Sequence, residues 1–122
     1  MRTLLVEDNL MNRDYFSDVL RREGHEVVVA TTGPEGRDMA LQGSFDLIVL
    51  DIALPGLRGD AVCIELRAAG LRTPMVALTA SAMPDQLAAT RAAGFDETMT
   101  KPIDPQQLRD MARRFDPRRS AA

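Results

Sequence analysis

Four short runs of this 122-residue chain lead into side chains that handle charge. TLLV runs into Glu7 and Asp8, LIVL into Asp51, MVAL into Thr79, and ETMT into Lys101. A carboxylate at the end of an apolar run costs free energy unless something compensates it. Gathered together, Glu7, Asp8 and Asp51 repel one another, so either one of them takes a proton or a cation sits among them. Oxygen ligands with no neighbouring His or Cys suggest a hard cation. Magnesium accepts a few carboxylates and keeps several waters, so it fits better than calcium, which wants more protein oxygens. A carboxylate held beside a divalent cation, a hydroxyl and an ammonium is a nucleophile placed for phosphoryl transfer, chemistry that is mostly positioning and charge neutralisation. On this reading Asp51 attacks, the cation bridges attacking and phosphoryl oxygens, Thr79 donates a hydrogen bond and Lys101 supplies a compact charge. Lys101 is the only lysine among fifteen basic residues, and the planar fork of arginine would substitute poorly there.

For these residues to meet, the runs must be neighbouring strands. Residues 3–7, 26–30, 46–51 and 74–79 are continuous apolar stretches rich in Val, Leu and Ile, as expected of strands buried on both faces of a parallel sheet; residues 97–100 form a weaker fifth. Between them lie helix-like stretches at 10–23, 34–42, 59–69, 84–93 and 105–115. The first carries Met11, Tyr15 and Val19 on one stripe, with Asn9 as N-cap and Gly24 as terminator. The last places Leu108, Met111, Ala112 and Phe115 on one face, behind an Asp104, Pro105, Gln107 start that reads as a capping box. Helices 34–42 and 84–93 have thin faces of alanine and methionine and are expected to be the more mobile pair. Five βα units imply an α/β fold, a doubly wound parallel (βα)5 sheet of the flavodoxin-like order 2-1-3-4-5. All strand C-termini then lie on one edge, and strands one and three are adjacent at the switch point, which brings Asp8 and Asp51 face to face with Glu7 beside them.

Composition is that of one globular domain: 45% hydrophobic, 27% charged, net charge −3. The acidic balance argues against a nucleic-acid-binding face, and no apolar run approaches the roughly 18 residues of a membrane span. The single cysteine, Cys63, excludes an internal disulfide, and the N-terminus does not read as a signal peptide, so the expected location is cytoplasmic.

In order and spacing, VEDN (6–9), VLDIALPG (49–56), VALTA (76–80) and TKP (100–102) resemble the receiver domain of two-component response regulators over essentially the whole chain, most closely the stand-alone, chemotaxis-regulator-like type. The resemblance implies residues 1–116 as the receiver domain, with 117–122 a frayed tail. It implies Asp51 as phosphoacceptor, taking a phosphoryl group from a histidine kinase or phosphotransfer protein and signalling by phosphorylation-dependent binding of a downstream protein target. It also implies a Mg2+ site of Glu7, Asp8, Asp51 and the Ala53 carbonyl. Thr79 would be the switch hydroxyl, Ala80 a small residue leaving room for the phosphoryl group, Lys101 its counter-charge, and Lys101–Pro102 a cis bond, which an X–Pro bond tolerates. Such a module assists its own phosphorylation and dephosphorylation but is not otherwise an enzyme. The family usually has Tyr or Phe three residues before the lysine, where this chain has Thr98. Thr98 is too small for an aromatic switch, so signalling is expected to run through the fourth βα loop and helix 84–93.

A nucleotide- or flavin-binding module needs a glycine- or hydroxyl-rich loop after strand one, where this chain has EDNLMN. A metal-dependent aspartyl phosphatase commonly wants an acid two residues after the nucleophile, but position 53 is alanine. A phosphorylation-independent interaction module normally loses an acid or the lysine, and none is lost; a receiver fragment of a hybrid histidine kinase shares every motif. Outside the site, His25 reads as a solvated turn histidine and Cys63 as a small, partly buried residue. Arg109, Arg113, Arg114, Arg118 and Arg119 read as a solvated face favoured by the helix dipole.

Overall fold

The computed structural model describes residues 1–117. The strands are β1 (Arg2–Val6), β2 (Glu26–Ala30), β3 (Leu47–Asp51), β4 (Met75–Thr79) and β5 (Glu97–Thr100). They alternate with α1 (Leu10–Arg22), α2 (Gly33–Gln42), α3 (Gly59–Ala68), α4 (Pro84–Ala93) and α5 (Pro105–Arg114). All pairings are parallel, in the order β2-β1-β3-β4-β5, so the predicted doubly wound α/β fold is the observed one. Element ends differ from the sequence reading by a residue or so. The difference that matters is at β1, which stops at Val6 and leaves Glu7 beyond the strand.

Alternation along each strand feeds two cores. Leu4, Val6, Ile48, Leu50, Met75 and Ala77 pack on the α2–α3 side, while Leu5, Leu47, Val49, Val76 and Leu78 pack with Phe16 and Leu20 of α1 and Leu108 and Met111 of α5. Burying both faces explains why these strands read as continuous apolar runs. At the expected caps, Asn9 Oδ1 accepts from Asn12 N at 2.9 Å, and Asp104 and Gln107 close a capping box. The two thin-faced helices differ. The face of α2 buries Gly33, Gly36 and Ala40 against its neighbours, whereas α4 buries only Thr90 and Ala93.

His25 is not the solvated residue its GHE context suggests. Gly24, at φ +91°, reverses the chain after α1 and tucks residue 25 beneath the start of β2; there His25 is buried, its Nδ1 sharing a 2.8 Å hydrogen bond with buried Thr3 Oγ1. Cys63 is completely rather than partly buried, and burial pushes its thiol up to about 11. Of the arginines expected to be solvated, Arg113 forks onto Glu23 at 3.1 Å through two nitrogens, and Arg114 pairs with Glu97. Arg118, Arg119 and the expected tail beyond Pro117 lie outside the described residues. No helix among the described residues is long and apolar enough to cross a membrane.

Candidate functional site

The C-terminal edge of the sheet gathers the residues that end the strands. Val6 is level with Leu50, Asp51 with Leu78, and Thr79 with Thr100, so the residues that follow converge. Glu7 is fixed by its own backbone, whose N–H donates to Ala30 O at 3.0 Å, and its side chain is fully buried. Asp51 closes β3 and is 6% exposed; Asp8, the first residue of the turn into α1, is exposed. One oxygen from each of the three acids lies within 4.8 Å of the others.

Lys101 reaches into this group. Its backbone N–H donates to Thr79 O at 2.7 Å, which ties the β5–α5 turn to the end of β4, and the Lys101–Pro102 bond is cis. Its Nζ donates to Asp51 Oδ2 at 2.9 Å and to Glu7 Oε1 at 3.2 Å. One ammonium therefore serves two acids, and the charges do not cancel. Among the described residues Glu7 Oε2 is buried with no hydrogen-bond partner, as is Glu97 Oε2 at the start of β5, away from the acids of this group. Burial, then the hydrogen bond and charge of Asp51, push the Glu7 carboxyl up to about 7, against the opposing pull of Asn12 and Lys101. Burial of the Lys101 ammonium pulls its pKa down, but Asp51 and Glu7 outweigh that and hold it above the usual lysine value. An orphaned buried carboxylate oxygen beside two more acids is a donor set short of a cation. All-oxygen ligands fit a small hard ion, so the residues present suit magnesium.

Above the acids lies a cavity of about 330 Å³, lined by Asp51, Ala53, Thr79, Ala80 and Lys101. Ala53 N donates to Asp51 Oδ1 at 3.2 Å, and Ser81 N to Thr79 Oγ1 at 3.2 Å. Small side chains at 53 and 80 leave the volume free. Thr98 does not face this cavity; it is half-buried in β5, level with Ala77, and borders a separate hollow beside Leu87, Arg91 and Phe95.

The cavity's outer walls come from α3 and α4, and these the sequence reading missed. Gly59 brings the start of α3 against the backbone of Asp51: a Cβ there would lie 2.2 Å from the Asp51 carbonyl oxygen. Arg58, before it, and Gln86 of α4 both line the cavity. The available signal was Arg58 itself, an arginine at a helix start where Ser, Thr, Asp or Asn is favoured.

The family model for the response regulator receiver domain matches residues 3–113. The chain belongs to that family. A sensor histidine kinase of Pseudomonas aeruginosa, AruS, is 38% identical over 113 residues, covering 89% of this chain and 11% of the kinase. The response regulator protein PmrA of the same organism is 38% identical, covering 93% of this chain and 51% of that protein. The chain thus spans about half or less of the length of these curated relatives. Among solved structures, the receiver domain of a P. aeruginosa sensor histidine kinase, with a magnesium ion coordinated in its active site cleft, superposes with a TM-score of 0.86. It is 32% identical, covering 93% of this chain and 95% of that one. Receiver domains are signalling domains of two-component systems and accept phosphate from histidine kinases.

Proposed function

We propose that this receiver domain is a phosphoacceptor whose nucleophile is Asp51, working with Mg2+ and the counter-charge of Lys101. The observation that carries the reading is the imbalance at the sheet edge: buried Glu7 and Asp51 share a single ammonium with exposed Asp8 beside them, and one Glu7 carboxylate oxygen has no hydrogen-bond partner among the described residues. Glu7, Asp8, Asp51 and the Ala53 carbonyl would hold the ion. When bound, Mg2+ supplies the charge neutralisation that lets an anionic carboxylate meet an anionic phosphoryl group.

The chain's own residues do the rest. An Asp51 oxygen forms the new P–O bond as the P–N bond of a donor phosphohistidine breaks, and the imidazole leaves with the electron pair and takes up a proton. Lys101 Nζ, already 2.9 Å from Asp51, shifts its hydrogen bond toward the phosphoryl oxygens. Thr79 Oγ1, at the cavity wall, donates to another. Ala53 and Ala80 keep the space clear. With threonine at position 98, the response travels through residues 80–83 and α4, whose buried face is only Thr90 and Ala93. A histidine kinase or histidine phosphotransfer protein is the donor, and a protein that binds the phosphorylated form is the output.

The test is intact-mass measurement after incubation with a small phosphodonor. One phosphoryl adduct is expected, absent without Mg2+ and absent in Asp51→Asn. An adduct that persists in Asp51→Asn refutes the assignment. For the switch, NMR of the phosphorylated protein should show shifts across residues 80–97; no change there removes that part.

A further inference from the structure

The cavity above Asp51 has a second cation that the phosphoacceptor reading does not use. Of the described residues that line it, Arg58 and Lys101 carry positive charge. Lys101 is committed to Glu7 and Asp51, so a dianionic donor entering by the cavity mouth meets Asp51 and Asp60 in the lining, with Asp8 beside Asp51, against Arg58 as the remaining lining cation. Arg58 stands at that mouth on a fixed backbone. Gly59 N donates to Ile52 O at 2.9 Å, and Arg58 O accepts from Val62 N at 3.0 Å. Its position is the N-cap of α3, and it makes no side-chain capping bond. A helix start that forgoes its cap in favour of a guanidinium is locally unfavourable, and such departures concentrate where a residue serves a site. Asp60 holds Arg58 Nε at 3.3 Å while its own Oδ1 also accepts from Ala61 N. That contact orients the guanidinium, and among the described residues neither Nη group has a hydrogen-bond partner, the pair of donors that suits phosphate oxygens.

We propose that Arg58 is a donor-specificity residue: its guanidinium captures dianionic small phosphodonors, of the acyl phosphate class, at the cavity mouth and delivers them to Asp51. This rests on the Asp51 reading. In the step served, an Asp51 oxygen bonds to phosphorus as the acyl P–O bond breaks and the carboxylate product leaves with the electron pair. Arg58 touches the incoming anion and takes no proton. Because the side chain is 65% exposed, its effect is on capture and is screened by salt.

The experiment follows adduct formation on Asp51 by intact mass at saturating Mg2+, at low and high ionic strength. It compares acetyl phosphate, a dianion at neutral pH, with phosphoramidate, a monoanion. Arg58→Ala is expected to slow capture of acetyl phosphate about fivefold at low salt, with the difference closing at high salt. The loss should be smaller with phosphoramidate. Arg58→Asp, which restores a capping side chain, should be slower still, and Asp60→Asn, which removes an opposing charge, about twofold faster. Wild-type rates in both Arg58 variants, or a rate restored by Arg58→Asp, would overturn the proposal while leaving Asp51 in place, since the adduct still forms. No adduct in any protein, wild type included, removes the Asp51 reading and this inference with it.

Discussion

Lys101 and Arg67 stand at opposite edges of one sheet, and each is hydrogen-bonded to acidic groups from distant parts of the chain. At the N-terminal edge Arg67 donates four hydrogen bonds: to Gly94 O at 3.1 Å, Leu71 O at 3.0 Å, Thr73 O at 2.9 Å and Asp96 Oδ2 at 2.9 Å. Asp96 Oδ2 also accepts from Met75 N at 2.8 Å, just as Asp46 Oδ2 accepts from Arg2 N at 2.7 Å, so acids on this edge pin the first residues of neighbouring strands. At the C-terminal edge the acids are in excess, one oxygen is orphaned, and a carboxyl is forced up to about 7. The same ingredients, carboxylates and a cation, build a clamp of four donated hydrogen bonds around Arg67 and a corner where three acids crowd one ammonium. Sites that do chemistry are where a fold tolerates local conflict, and here the excess of acids lies at the C-terminal edge.

Breaking the clamp should cost stability outright. Arg67→Ala strands three carbonyls and Asp96, and is expected to lower stability by about 2 kcal/mol, read by urea denaturation, because partly buried acceptors lose their donors together. It should leave the Asp51 adduct in place. A larger loss of phosphorylation than of stability would mean the two edges are not independent.

At the other edge the sign reverses. Glu7 has a folded-state pKa near 7, above its ordinary 4.5, so the folded state binds this proton more tightly than the unfolded chain. Its contribution is fully present below about 4.5 and is lost as pH rises through 7. With a chelator present, stability should therefore fall between these limits by about 2 kcal/mol, and Glu7→Gln should flatten that slope. An unchanged slope in Glu7→Gln contradicts the assignment of the conflict to this carboxyl.

The smallest effect sharpens the picture of the satisfied region. Cys63 packs beside Arg67 with its thiol pushed up to about 11 by burial. It should resist thiol reagents at pH 8 and label only on unfolding. Rapid labelling of the native protein would show that the α3–α4 side opens more easily than its packing indicates.

The reactive corner was legible because its residues end apolar runs. Continuous Val, Leu and Ile stretches give buried parallel strands, parallel strands share an edge, and Glu7, Asp8, Asp51, Thr79 and Lys101 follow from that alone. What stayed hidden depends on three-dimensional reversals. His25 looks like a turn residue until Gly24 folds it under β2. Arg58 looks like any loop arginine until Gly59 seats α3 on the Asp51 backbone. The orphaned Glu7 oxygen is a property of packing, because no spacing rule says which lone pairs a single lysine will leave unused.

The most direct measurement is an amide NMR titration of the unphosphorylated protein with Mg2+. The account predicts saturable shifts at Glu7, Asp8, Asp51 and Lys101, lost in Asp51→Asn, with Arg67, Met75 and Asp96 unmoved. Shifts spread evenly over both edges, or none at the three acids, would contradict it.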